Sequence, residues 1–263
     1  MAKAKAETTA IATWDEELAK YASEAAEQEK NTGGGQFFGL KGGILTLNDA
    51  QLPNNEIGCV VLDSILENVY YEDDFDADSP ASPVCYAFGR DEDTMEPHED
   101  VETKQAENCA ACPHAAWGSA DKGRGKACRN RRRLALLPAG TFDREGNFTP
   151  IDDAAHYEKA EAAFLGVSPT SLKGFAAYVK GLAATLKRPP FGVFTRIKVI
   201  PDQKSQFKVT FENLGIVPNE LMETVFNRAK AQRELMVFAY PKRSPEAERP
   251  AAGRRAGKTA RKF

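Results

Sequence analysis

The longest strand-like stretch of the chain is IGCVVLDSILENVYY, residues 57–71. It is rich in Val, Ile, Leu and Tyr, which is typical of a buried or bulged β-strand. The acidic, proline-containing residues 72–83 follow it and are predicted to form a loop. In the second half of the chain, residues 191–200 and 206–211 alternate apolar and polar side chains and are joined by PDQKS. This pattern predicts a β-hairpin.

Helical periodicity is found in four other segments. They are residues 13–30, 152–165, 171–186 and 219–235. Strands in the first half and helices packed around a hairpin in the second half predict an α+β fold. We expect a single domain, residues 13–241, between a disordered N-terminus, residues 1–12, and a disordered basic tail, residues 242–263.

The composition is that of a soluble globular protein. Hydrophobic residues make up 42% and charged residues 28% of 263 residues. No apolar run approaches the roughly 20 residues that a helix needs to cross a bilayer, and the N-terminus has no apolar signal-peptide core. We therefore expect a cytoplasmic protein, in which cysteines stay reduced and favour metal over disulfides.

Four cysteines lie in the middle of the chain with metal-ligand spacing. Cys109 and Cys112 form a C-x₂-C pair, with Cys85 before them and Cys128 after them. C-x₂-C lets two thiolates bind one ion, so the set predicts a closed structural zinc site. Residues 85–128 are too polar to build an apolar core, and bound zinc would supply the folding free energy that they lack.

The fourth ligand of this set has alternatives. The spacer between Cys85 and Cys109 is long for a zinc module, and Cys85 could instead be an ordinary strand cysteine. His114 or His98 would then complete the site. Cys59 lies in an apolar run and is predicted to be core. The pattern of a catalytic deaminase zinc site is absent, so we predict no catalytic residues.

A basic run begins at the last of the four cysteines. Charge is segregated along the chain, with an acidic segment at residues 66–102 and a basic one at residues 122–133. Guanidinium and ammonium groups at this density favour phosphate contacts, although most charge runs are solvated surface. The candidate phosphate ligands are Lys122, Arg124, Lys126, Arg129, Arg131, Arg132 and Arg133.

Aromatic residues near the strands are candidates for stacking on bases. They are Phe37, Phe38, Tyr70, Tyr71, Tyr86 and Phe88. Proteins that bind single-stranded nucleic acid use such rings as platforms, whereas the alternative for most of them is core packing. Because neighbours on a strand point to opposite faces, one member of each adjacent pair is expected to be exposed.

Several of these segments together resemble phage-encoded single-stranded DNA-binding proteins. The segments that carry the resemblance are residues 43–47, 60–71, 83–88, 109–113, 117–119 and 125–132. The resemblance implies an OB-like β-barrel core with a zinc-binding insertion at residues 85–128. It also implies a role in phage DNA replication or recombination in the host cytoplasm. Many such proteins end in an acidic tail, whereas this chain ends in a basic one.

These observations lead to one functional expectation with two alternatives. We expect a non-enzymatic protein that binds single-stranded DNA with little sequence preference and holds structural Zn²⁺. The first alternative is a transcription or recombination accessory factor that binds polymerase as well as DNA. The second is a nuclease, which is retained as an alternative because of the carboxylates in the acidic loop.

Overall fold

The computed structural model describes Tyr21 and residues 37–48, 50–72, 82–121 and 123–240. The chain divides into two compact units, residues 1–35 and 36–263, and the description below concerns the second. The two ends that are predicted to be disordered lie outside the described residues. So does the predicted helix 13–30 apart from Tyr21, which is helical.

The described part of the second unit is α+β, with mostly antiparallel sheets. Its strands are β1 (Phe38–Gly39), β2 (Thr46–Leu47), β3 (Ala50–Gln51), β4 (Glu56–Tyr70), β5 (Cys85–Gly89), β6 (Arg129–Phe142), β7 (Phe148–Pro150), β8 (Ala163–Val167), β9 (Val193–Asp202) and β10 (Gln206–Ile216). Its helices are α1 (Ala154–Lys159), α2 (Pro169–Thr185) and α3 (Asn219–Glu234). None of these helices is long and apolar enough to cross a membrane.

The long strand predicted at residues 57–71 is confirmed as β4, the centre of a seven-stranded sheet. β4 pairs with β6 along most of its length. Its other edge pairs with β9 from Glu56 to Cys59 and with β5 from Leu66 to Tyr70. β6 carries β7 and β8 on its far side. Among the described residues these ladders do not close into a barrel, because the path ends at β10 and β7.

Both faces of this sheet are buried, which explains why its central strands are continuous apolar runs. On one face, Ala135 and Leu137 of β6 share a core with the apolar side of α3. On the other face, Leu134 and Leu136 share a core with Phe175 of α2. Successive strand residues point to opposite faces, so one strand supplies both cores.

The predicted hairpin is confirmed as β9 and β10, which are antiparallel from Gln206 opposite Asp202 onward. Two of the predicted helices correspond closely to α2 and α3. The helix predicted at residues 152–165 is correct only for α1, because residues 163–167 form β8. AFLGV is fully apolar and pairs with the centre of β6, so tertiary burial outweighs its helical periodicity.

Candidate functional site

The four predicted cysteine ligands border one cavity. β5 begins at Cys85, opposite Tyr70 of β4, and β6 begins directly after Cys128. Because β5 and β6 lie on the two sides of β4, the sheet brings Cys85 and Cys128 to the same end of that strand. The cavity has a volume of about 20 Å³, and Cys109 and Cys112 line it from the irregular segment between β5 and β6.

The five cysteines are free thiols. Burial, with smaller contributions from the neighbouring thiols, raises the pKa of Cys128 to about 12. Burial also raises the pKa of Cys109 and of Cys85. Adjacent buried thiolates would repel one another, so a cation is needed to hold several of them ionised together. Cys59 lies apart from this group, and its buried thiol donates a hydrogen bond to Thr195 O (3.5 Å), as expected for a core cysteine.

The thiols border the cavity without being gathered around one point. Among the described residues, no group of three or more His, Cys, Asp or Glu side chains is arranged to hold a metal ion. Zinc at this position is therefore a proposal, which rests on the donor set and the cavity.

Backbone hydrogen bonds shape the segment that carries these cysteines. The Cys112 N–H donates to Cys109 O (3.3 Å), which closes the C-x₂-C pair into a turn. The Cys128 N–H donates to His114 O (2.9 Å), which ties together the two ends of residues 113–127. We call residues 113–127 the cysteine loop. The loop starts directly after Cys112 and ends directly before Cys128, and both of these residues line the cavity.

Neither alternative histidine lines the cavity. His114 stacks on Tyr70, with ring centroids 4.0 Å apart, and its Nε2 lies 3.2 Å from Gln105 Oε1. His98 stacks on Tyr86 at 5.2 Å. The geometry therefore favours Cys85 over either histidine as the fourth member of the set.

The predicted basic residues do not form one patch. In the cysteine loop Arg124 is exposed and Lys126 is half-buried, and Lys122 lies outside the described residues. On β6, Arg129 is exposed and Arg131 half-buried. The strand alternation sends Arg129, Arg131 and Arg133 to one face and Arg132 to the other.

Arg133 is buried and is removed from the candidate phosphate ligands. Its side chain is only 3% exposed and donates to Glu67 at 2.6 Å. The guanidinium lies 4.3 Å from the Phe88 ring centroid and 3.9 Å from that of Phe238, and it also donates to Met236 O (3.3 Å). Carboxylate, rings and carbonyl together enclose the cation, so its role here is structural.

Arg132 points to the opposite face of β6 from Arg131 and Arg133. Its guanidinium donates to Ser64 Oγ (3.1 Å) and lies 5.7 Å from the Phe175 ring centroid. Burial lowers its pKa. No carboxylate of the described residues lies within 4.0 Å of it. Arg132 thus remains accessible to an anion, from a groove beside α2.

Of the two adjacent aromatic pairs, only one has one exposed and one buried member, as alternation along a strand predicts. Phe37 is 45% exposed and Phe38 is buried, so the expected alternation is confirmed there. Tyr70 and Tyr71 are both half-buried, because Tyr70 is covered by the ring of His114.

Three of the predicted stacking residues are packing residues in this structure. Phe38 and Tyr86 are buried, and Phe88 packs against Arg133 and Tyr240. Tyr86 lies between the rings of His98 and Tyr240, which explains its burial. The buried rings of Phe38 and Tyr86 are closed to a base, and the half-buried ring of Phe88 already packs against Arg133 and Tyr240.

Trp117, which belongs to one of the segments that carry the resemblance but is not among the predicted stacking residues, is the most accessible ring near the cysteines. It lies in the cysteine loop and is 80% exposed. The Lys126 Nζ lies 5.6 Å from its ring centroid. A signal was present in the sequence, because a tryptophan among Ala, Gly and Ser has no apolar neighbours to bury it.

The comparisons with known proteins add no family to these observations. No protein-family description, no curated protein and no solved structure matches this chain.

Proposed function

We propose that this protein binds single-stranded DNA with little sequence preference, and that structural zinc holds the cysteine loop. The observation that carries the proposal is the exposed ring of Trp117 beside Lys126, on a loop bounded by two cysteines that line the same cavity. An exposed ring next to an ammonium group suits a base and its phosphate at once. Neither contact distinguishes one base from another, which accounts for the expected lack of sequence preference.

The residues at the cavity fit zinc in chemistry and size. Cys85, Cys109, Cys112 and Cys128 would be the ligands, and thiolates are among zinc's preferred donors. A volume of about 20 Å³ admits one water-sized occupant. Four protein ligands fill a tetrahedral ion, so the zinc would supply folding free energy and no chemistry on the DNA.

The cations that remain accessible would neutralise phosphates. Arg124 and Lys126 extend from the cysteine loop, and Arg129 and Arg131 follow it on β6. The chain's net charge is −3, so this contribution depends on local charge and not on the whole molecule.

The proposal also covers the type of fold and the biological role. An OB-like barrel with an insertion at residues 85–128 is supported by the long β4 strand, whose bulges near Cys59 and Leu62 would curve the sheet. A role in phage DNA replication or recombination, in the host cytoplasm, is supported only by the sequence resemblance. In this proposal the protein is not an enzyme.

Removing the Trp117 ring should weaken DNA binding without unfolding the protein. A stacked base is worth about 1–3 kcal/mol, so Trp117→Ala should lower affinity for oligothymidylate about five- to a hundredfold. Fluorescence anisotropy of a labelled oligonucleotide measures the change. The matched control is Ile216→Ala, because Ile216 is also an exposed apolar residue but ends β10. Equal affinities for the two variants would contradict the stacking role.

Affinity should fall as salt rises, because neutralised phosphates release counterions. For single strands, the slope of log affinity against log salt changes by about 0.7 for each phosphate contact. Arg124→Ala and Lys126→Ala should each reduce the slope by about that amount. Lys204→Ala is the control, because Lys204 is exposed in the β9–β10 turn, beyond the opposite end of β4. A slope unchanged in both loop variants would contradict phosphate binding by this loop.

A further inference from the structure

A groove opens along an unpaired part of β4. The ladder with β9 ends at Cys59 and the ladder with β5 begins at Leu66. Between them, no described strand lies on this edge of β4. The groove has a volume of about 540 Å³, and its floor is residues 61–64. The walls are α2 and α3, and Pro189, Pro190 and Phe191 line the remaining side.

The apolar part of the groove is aromatic and reachable. Phe226 of α3 is 52% exposed, although it lies on a helix that otherwise packs on the sheet. Its ring centroid is 5.9 Å from that of Phe191 in an edge-to-face arrangement. The ring of Phe175 lies deeper, under Arg132. A groove of this size and lining suits one flat ring with a polar attachment.

The charged groups of the groove are almost all positive. Arg132, Lys180, Lys230 and Arg233 line it, together with the single acid Asp63. Arg90 already binds Asp63 through two hydrogen bonds, of 2.6 and 3.1 Å. Arg132 is partly desolvated, and the charges of Glu92 and Asp63 compensate it without a contact within 4.0 Å, so an anion in the groove would stabilise it further. The groove is therefore complementary to a negatively charged ligand.

Arg132 of the groove and the cysteine cavity lie on one face of the β4–β6 pair. Asn68 lines the cavity and stands opposite Asn130, whereas Leu66 stands opposite Arg132. Cross-strand partners point to the same face, so Arg132 and Asn68 share a face of the β4–β6 pair. Arg132 lies four residue steps along the chain from Cys128, which is about 13 Å of extended strand. A strand of nucleic acid bound beside the cysteine cavity would therefore meet Arg132 on the same face.

We propose that the groove holds a nucleotide of the bound single strand. Its base packs against Phe226 and Phe191, and its phosphates lie near Arg132 and Lys230. The inference rests on the proposed function and adds a second contact region at the unpaired edge of β4, of which only Arg132 belongs to the predicted basic run. An acidic polypeptide is the other ligand that this charge pattern could take.

The test compares exposed α3 positions that do and do not line the groove. Phe226→Ala should weaken oligothymidylate binding about five- to a hundredfold, and Lys230→Ala should reduce the salt slope by about 0.7. The control is Asn227→Ala, because Asn227 is exposed on the same helix outside the groove. Its affinity should equal that of the unsubstituted protein. Thermal unfolding of each variant checks that the fold is intact.

Each outcome decides a different point. If the unsubstituted protein does not bind oligothymidylate, both the proposed function and this inference fail. If it binds, and Trp117→Ala weakens binding while Phe226→Ala and Lys230→Ala do not, the groove inference alone fails. If these two groove variants lose affinity for polyglutamate and keep their affinity for oligothymidylate, the ligand is an acidic polypeptide and the inference is overturned. Photocrosslinks from iodouridine oligonucleotides to Phe226 or Phe191 would support it directly.

Discussion

Replacing Cys109 and Cys112 together by serine is expected to release zinc and to unfold the segment between β5 and β6. Structural zinc contributes about 10–16 kcal/mol to the folding of small zinc modules. In residues 90–128, the regular structure of the described chain is one short 3₁₀ turn, Pro113–Ala115, and a bridge from Pro97 to Ala87. The buried apolar side chains of this segment other than its cysteines are Met95 and Val101. Without the ion, this segment has little else to oppose its conformational entropy.

Zinc content, limited proteolysis and DNA binding measure this effect together. The double variant should contain no zinc, be cleaved within residues 90–128, and lose the contribution of Trp117 to affinity. Cys59→Ala is the control, because Cys59 is buried in the sheet core and should affect stability without affecting zinc. Retention of one zinc per chain by the double variant would refute the ligand assignment. Absence of zinc from the unsubstituted protein would refute the metal site itself.

Breaking the Glu67–Arg133 pair is expected to destabilise the protein by about 3–5 kcal/mol. Both side chains are 3% exposed, so Glu67→Gln leaves a buried guanidinium without a counter-charge. The substitution also weakens the 2.6 Å hydrogen bond that the Tyr240 hydroxyl donates to Glu67. Burial and the Glu67 charge both raise the pKa of that hydroxyl, so it remains a donor across the physiological range.

Urea unfolding measures this loss, and a double variant separates charge from packing. Glu67→Leu with Arg133→Met removes both charges and should recover much of the lost stability, because apolar pairs of similar volume often replace buried ion pairs. Glu67→Gln should bind DNA normally while it stays folded. A loss below about 1 kcal/mol would contradict the structural role. A selective loss of DNA affinity in the folded Glu67→Gln protein would restore Arg133 to the interface.

The elements of the fold were largely predictable because they depend on local patterns. The apolar run at residues 57–71 and the alternation around PDQKS correspond to β4 and the β9–β10 hairpin. The exception is residues 163–167, where β-pairing to β6 replaces a predicted helix end. Periodicity over five apolar residues cannot separate a buried strand from a buried helix turn, and only the partner strand resolves the choice.

The candidate site was predictable in its cysteines and less so in its other members. The four thiols are recognisable from their spacing as candidate metal ligands, because few other constraints place a C-x₂-C pair in a polar segment. The arginine run and the aromatic residues carry no such constraint. Arg133 and Tyr86 proved buried, whereas Trp117 proved the most exposed ring of the cysteine loop. Burial depends on which elements cover a residue, and those elements are distant in sequence.

The sequence by itself determined the strands, the α+β class and the cysteine set, because each follows from periodicity or spacing within a short segment. Only the tertiary structure decided which arginine meets solvent. Alternation along β6 separates Arg132 from Arg131 and Arg133, but it does not say which face is covered. Residues 236–240 cover Arg133 from about a hundred residues away, while the gap between β9 and β5 leaves Arg132 open to a groove. These long-range contacts, which no local pattern encodes, define the surface proposed to meet DNA.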